Sequence, residues 1–311
     1  MASSVLASVG SAPHSGPPGA GRRRRGDLGP ALLFIAPAAL GFTVFFLYPA
    51  TRGIYLSFTE FNMFRSPEWV GLVNYRAMWN DPQFWNSLKV TAWYVVLNIG
   101  FQTVIAIGLA VLMQRVTKST LIRGAVLLPF LVANVVVALL WFCMLDYQVG
   151  VVNAVLDWTG LGKVAFFGGE GTAIPTIAFV NVWRHMGYTA LLVFAGLQAI
   201  PTSVYEASSL DGASEWKTFR SISLPLLRPV LVVVLIITVT GSFQVFDTVA
   251  VTTKGGPGNA SRVLQLYIYD RAFARSDFGY AAAMSVVLFV VLAAIAWVQN
   301  RYLRGGENDL A

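Results

Sequence analysis

Six blocks of mainly apolar residues run along the chain, near positions 29–55, 90–113, 123–145, 173–197, 229–253 and 280–299. Each holds the ~20 residues that a helix needs to cross the hydrocarbon of a bilayer. Lipid gives a free backbone N–H no partner, so a spanning segment must be a helix or part of a closed barrel. Barrel strands alternate over about ten residues, and these blocks are longer and continuous. The pattern therefore predicts an all-α polytopic membrane protein with six transmembrane helices, and the even count puts both termini on one side.

The polar segments between the blocks set the orientation. Residues 1–27 are rich in Ser, Gly, Pro and Ala and end in Arg22, Arg23, Arg24 and Arg25. That composition cannot bury a core, which predicts a disordered basic tail. The first block exceeds the about 7–15 apolar residues of a cleaved signal peptide, so it reads as an uncleaved anchor. Positive charge collects on cytoplasmic flanks. The tail, together with Arg115, Lys118 and Arg123 in the short second loop, thus predicts cytoplasmic termini. Lys254, Arg262, Arg271 and Arg275 oppose this from the last external loop, so the orientation rests on the tail and the second loop. The expected organisation is a tail (1–27), a first transmembrane helix with its external loop (28–85), a core domain (86–305) containing a cytoplasmic loop at 200–228, and a C-terminal tail (306–311). Within the loop at 146–172, the stretch GVVNAVLDWTGL suits a helix lying at the lipid–water boundary.

Composition agrees with lipid as the solvent. Hydrophobic residues make up 56% of the chain and charged residues 12%, against about a quarter charged in soluble domains. The net charge of +7 then reports membrane orientation, and no nucleic-acid partner is expected. A lone Cys143 excludes an intramolecular disulfide, and only His14 and His185 are available for a histidine metal site, so no metal is expected. The chain has no GxxxxGK[ST] phosphate loop, no HExxH, no GxSxG and no paired carboxylates within the spans. Neither ATP hydrolysis nor a membrane-embedded enzyme is expected of it.

The loop between the fourth and fifth blocks, IPTSVYEASSLDGASEWKTFRSISLPLLRP, is too long for a tight connection. Ser203 and Glu206 form a capping-box pattern that predicts a short helix from near Val204 to Leu210. Asp211-Gly212 breaks it. Ser214 caps a second helix through Trp216, Phe219 and Ile222, and Pro225 is expected to stop that helix before the membrane is re-entered. The predicted result is a helix–turn–helix knob. A chain without its own nucleotide site must receive energy from a partner. Reversing a 1:99 conformational preference takes about 5.5 kcal/mol of differential binding, which requires a knob rigidly joined to the spans it moves.

This loop resembles that of the permease subunits of binding-protein-dependent ABC importers. Their signature is EAA, three residues, Gly, nine residues and Ile-x-Leu-Pro. The chain reads Glu206, Ala207, Ser208, then Gly212, then Ile222, Leu224 and Pro225, departing only at Ser208. Leu127-Leu128-Pro129, Asn181-Val182-Trp183 and SFQVFDTVAVTTKGGPGNAS resemble the carbohydrate branch, similar to the maltose and glycerol-phosphate permeases. The resemblance implies a type I importer bundle in a bacterial inner membrane, with Glu206, Ala207, Asp211 and Gly212 forming a docking knob. It also implies a second homologous permease, an extracytoplasmic sugar-binding protein, and two ATP-binding subunits that carry the ATP and Mg. No cofactor is expected in this chain itself.

For a substrate, polar residues within the fourth and fifth blocks draw attention, because transporter sites lie near the midplane. Arg184 and His185 sit well inside the fourth block, with Tyr188 one turn from Arg184. The family resemblance implies sugar contacts at His185, Tyr188, Thr238, Ser242 and Gln244, with Phe243 and Asp247 adjacent. A pairing of Arg184 with Asp247, or snorkelling of Arg184, is the competing structural role. Gly255-Gly256-Pro257-Gly258 reads as a turn that shapes the external face. The alternatives are an ABC permease for an amino acid or a glycerophosphodiester, or an ion-gradient transporter, which would not require a long cytoplasmic knob.

Overall fold

The computed structural model describes residues 28–116 and 119–304; the expected basic tail, Lys118 and the C-terminal tail lie outside the described residues. The first span begins as α1 (Leu28–Phe42), which contains Pro37, and passes through a π-helical stretch (Thr43–Leu47) into α2 (Tyr48–Leu56).

From residue 52 onward the chain forms a second compact unit. A two-residue ribbon pairs β1 (Thr59–Glu60) with β2 (Glu68–Trp69) antiparallel, in the register Thr59 to Trp69 and Glu60 to Glu68. Then come α3 (Val73–Trp79), α4 (Pro82–Val116), α5 (Thr120–Leu131) and α6 (Asn134–Met144). The boundary helix foreseen in the 146–172 loop is α7 (Val151–Trp158), whose Trp158 is 87% exposed. After α8 (Ala173–Gln198), the loop region holds α9 (Thr202–Leu210) and α10 (Glu215–Thr218). A π-helical turn (Phe219–Ser223) leads into α11 (Leu224–Leu226). The unit ends with α12 (Arg228–Phe243), α13 (Asp247–Val251), α14 (Leu264–Tyr269), a further π turn (Asp270–Ala274) and α15 (Phe278–Arg304).

α4 and α8 are the axis of this unit. One apolar cluster joins the start of α4 to α14 and α15 through Phe84, Tyr94, Tyr267 and Met284; the other joins its later turns to α8 and α12 through Ala106, Ala110, Val193 and Val234. Ala106, Ala110 and Ala190 are fully buried, as suits helices that associate in lipid through close backbone approach. Gly187 shows the same economy, because a Cβ there would lie 1.9 Å from the Val126 carbonyl oxygen of α5.

The structure corrects the sequence-based outline in three places. The third block is not one straight helix: α5 and α6 are bent by 89° where Val132 and Ala133 take extended backbone. Among the described residues four helices are long and apolar enough to span on their own, and six spans result when each of two bent pairs counts as one. The second bent pair is α8 with α9, where Asn181, Arg184 and His185 dilute the hydropathy of α8. Ser203 does not cap its helix. Pro201 holds the capping position in extended conformation and α9 starts at Thr202, with no side-chain cap bond. Pro225 does not stop the second loop helix either. It sits in the first turn of α11, where a missing N–H costs nothing, and the near-continuous helical path turns at the buried Leu227.

Asp81 organises the end of the unit from which α4 starts. It precedes Pro82 and caps α4 by accepting the Gln83 N–H at 2.9 Å on Oδ1. Its Oδ2 accepts the hydroxyls of Tyr267 at 2.5 Å and Tyr280 at 2.7 Å, and lies 3.4 Å from the Arg271 guanidinium. Burial by itself would raise this carboxyl, but the two tyrosines, the Gln83 N–H and Arg271 outweigh it and hold it below its usual value. A depressed carboxylate contributes stability above its unfolded value of about 3.8, lost as pH falls below that through the lower folded value. Asp81→Asn is expected to cost about 2–3 kcal/mol, read as a lower melting temperature of the detergent-solubilised protein at pH 7. As pH falls below about 3.8 and through the lower folded value, the difference between variant and parent should shrink.

Candidate functional site

A cavity of about 390 Å³ opens between α4, the α5–α6 bend, α8, α12 and the segment leading into α13. Much of its polar wall is one connected network. On α4, Asn98 Nδ2 donates to Gln102 Oε1 at 3.1 Å and to Ser242 Oγ on α12 at 2.8 Å. Gln102 Nε2 donates to Thr189 Oγ1 on α8 at 2.8 Å, and Ser242 Oγ donates to the Thr238 carbonyl at 2.7 Å. Asn98 Oδ1 is buried without a protein partner at this wall, which leaves one acceptor unspent. Further along α8, Asn181 Nδ2 donates to Ile177 O at 3.0 Å and to Thr248 Oγ1 on α13 at 3.2 Å.

The opposite wall is aromatic. Phe130, near the end of α5, stacks on Tyr188 of α8 with ring centroids 4.5 Å apart and planes 13° apart. His185 meets the Phe130 ring edge-on at 5.8 Å. Its Nε2 lies 2.8 Å from Arg184 Nη1, which can only donate, so Nε2 accepts and Nδ1 carries the hydrogen, donating to the Asn181 carbonyl at 2.9 Å. The histidine ring is thereby oriented by its neighbours.

Six of the eight residues foreseen for a substrate line this cavity: His185, Tyr188, Thr238, Ser242, Gln244 and Asp247. Phe243 does not; it is buried in the apolar cluster beneath, 9% exposed. Nor does Arg184. Its Nε and Nη2 donate to the Val132 carbonyl at 3.2 and 3.1 Å, and Nη2 also to Phe130 at 3.2 Å. Those carbonyls are exposed by the break between α5 and α6, so the guanidinium serves as a helix C-cap. Asp247 receives Asn134 Nδ2 at 3.1 Å instead of an arginine. The sequence reading missed Tyr94, Asn98 and Gln102 because it searched only the fourth and fifth blocks. Their spacing of four residues places them on one face of α4, a polar stripe that was there to be found. It also missed Phe130, Asn134 and Thr189, which carry no pattern of their own.

The 200–228 loop is a second candidate surface. Gly212 adopts φ +68° and turns the chain after α9, and the Ser214 side chain caps α10 by accepting the Lys217 N–H at 3.3 Å. Glu206, Ala207, Asp211 and Gly212 are exposed, as are Leu210 and Trp216. Ser208 faces inward, 4% exposed, and its hydroxyl lies 2.7 Å from that of Thr218, tying α9 to α10. Ser223 donates to the Tyr205 hydroxyl at 3.5 Å. Ile222 and Leu224 are half-buried, and Pro225 is exposed. Arg115 at the end of α4 forms an ion pair with Glu215 of α10.

Residues 102–304 match the family described as the binding-protein-dependent transport system inner membrane component. The chain belongs to this family. It is a multi-pass membrane subunit of an ABC importer, as the Glu206-to-Pro225 spacing indicated. It is 33% identical over 270 residues, 86% of this chain and 91% of the relative, to a probable starch degradation products transport system permease protein, AmyD, of Thermoanaerobacterium thermosulfurigenes. It is 32% identical, over 87% of this chain and 93% of the relative, to the sn-glycerol-3-phosphate transport system permease protein UgpA of Agrobacterium fabrum. A chain in the crystal structure of a bacterial ABC transporter involved in the import of the acidic polysaccharide alginate superposes with a TM-score of 0.80 at 25% identity, covering 92% of this chain and all of that one.

Within the spans, a polar group that loses its partner has little water to replace it. Gln102→Leu removes one partner each of Asn98 and Thr189, and is expected to cost about 1–3 kcal/mol. Thermal unfolding of the purified subunit or its complex measures this.

Proposed function

We propose that this permease forms one half of the path for a sugar and contacts the cargo at the Phe130–Tyr188 and Asn98–Ser242 walls. The single observation that carries the reading is the cavity's combination of an aromatic face with donors and acceptors that, apart from Asp247, are uncharged. A sugar ring has apolar faces that stack and hydroxyl edges that bond. His185, Tyr188, Thr238, Ser242, Gln244 and Asp247 are the proposed contacts from the original set. Tyr94, Asn98 and Gln102 extend it. The starch degradation products in the name of one relative, and the alginate carried by the transporter of similar structure, support the same class.

The exposed Glu206, Ala207, Asp211 and Gly212 are the proposed dock for an ATP-binding subunit, with Ser208, Ile222, Leu224 and Pro225 holding the knob to the spans. Two such subunits would supply ATP and Mg, a second permease the other half of the path, and an extracytoplasmic binding protein the cargo. A related crystal structure of an alginate transporter contains a pentasaccharide-bound periplasmic protein. The termini and the knob are assigned to the cytoplasm of a bacterium on the Arg22–Arg25 and Arg115–Arg123 charges.

The test is to co-express the neighbouring genes, purify the complex, and screen sugars for stimulation of ATP hydrolysis. A neutral sugar should stimulate it; stimulation by amino acids alone would overturn the reading. Gly212→Pro cannot adopt φ +68°, and together with Glu206→Ala is expected to reduce stimulated hydrolysis and uptake by at least about tenfold, equivalent to ~1.4 kcal/mol, with the subunit still in the membrane. Unchanged uptake and unchanged co-purification of the ATP-binding subunit would refute the docking role.

A further inference from the structure

The bend between α5 and α6 brings two charges to the two ends of one interrupted span. Arg184 holds the carbonyl end of α5, through Phe130 and Val132. Asp247 stands at the amide end of α6, through Asn134, its first residue. Each charge matches the helix end it faces: a cation at the negative C-terminus and an anion at the positive N-terminus.

The carbonyls that Arg184 engages are also those a straight helix would use. Without the break, Phe130 O would accept the Asn134 N–H and Val132 O the Val136 N–H, four residues on. The bent and straight forms of this span thus compete for the same acceptors, and within a membrane an unpartnered carbonyl is costly in either form. Straightening would also part Asn134 from Asp247 and carry Phe130 off the Tyr188 ring that it stacks on. The guanidinium further lies 5.3 Å from the Phe130 ring centroid, so it touches both the carbonyl and the side chain of that residue.

We propose that Arg184 and Asp247 are positioning residues that hold the third span bent and thereby set the Phe130–Tyr188 wall of the cargo cavity. The inference rests on the reading of that cavity as the cargo site. It assigns Arg184, which does not line the cavity, a role through Phe130 outside any direct contact with cargo, and gives Asp247 a holding role beside the cargo contact proposed for it.

The experiment uses the complete reconstituted complex and has two readouts. The first is the cargo dependence of ATP hydrolysis. If Arg184→Met lowers the bent fraction to about a tenth, the apparent KM rises about tenfold while saturating cargo recovers most of the rate. Arg184→Lys, which keeps the charge but loses the planar fork, should fall between, and it carries the comparison if Arg184→Met does not assemble. In a Phe130→Leu background either substitution should add little to KM, because the wall through which it acts is already gone. The second readout needs no cargo: in a Cys143→Ser background, Ala133→Cys is labelled by a water-soluble maleimide, and Arg184→Met should change the rate several-fold. An equal rise in KM with and without Phe130, or an unchanged KM and labelling rate, overturns the proposal. A changed labelling rate in a complex that no sugar stimulates would uphold the bend and remove the sugar reading.

Discussion

A membrane offers no water to an unpaired polar group, and that constraint organises the middle of this permease. Asn98, Gln102, Thr189, Ser242, Asn181 and Thr248 lie deep in apolar helices, and each makes a side-chain bond to a neighbouring helix. Partners of this kind fix the depth and rotation of α4, α8, α12 and α13 against one another, which apolar packing between lipid-like surfaces does poorly. The cavity is where those helices stop touching. Part of its polar lining is the network that aligns the helices, so the side chains that fix the architecture also face the cavity.

The same constraint explains the irregular backbone. The extended residues Val132 and Ala133 and the break at 244–246 are the sort of interruption that a lipid-facing helix cannot contain. Both are flanked by residues of the cavity wall, and at the first of them Arg184 satisfies the carbonyls that the helix releases. Gly187 contributes by letting the α5 backbone press on α8 beside Tyr188.

Much of this was legible in the chain, for identifiable reasons. Long apolar blocks announce spans because the bilayer sets their length, and the loop announced itself because Glu206, Gly212 and Pro225 hold fixed offsets. Gly212 and Ser214 were read correctly since a positive φ and a helix cap are local matters. Ser203 and Pro225 were misread because a proline at position 201 pre-empts the cap and a π turn makes room for the second proline. The bend at Val132 could not be read, because nothing in LLPFLVANVVVALL reveals that an arginine fifty residues away will take two of its carbonyls. Arg184 itself drew attention correctly as an expensive charge, although its sequence could not say whether it faces cargo or backbone.

α4 deserves a mechanical view of its own. Its 35 residues make a rod of ~52 Å at about 1.5 Å per residue, far longer than the ~30 Å of hydrocarbon it crosses. One tip is fastened to the Asp81 cluster, the other to Glu215, and the middle is gripped at Asn98 and Gln102. A rod held in this way can pivot as a seesaw about the cavity wall. A tilt of about 5° would displace the two tips by roughly 2 Å in opposite senses, so a push on one surface of the bilayer arrives reversed at the other.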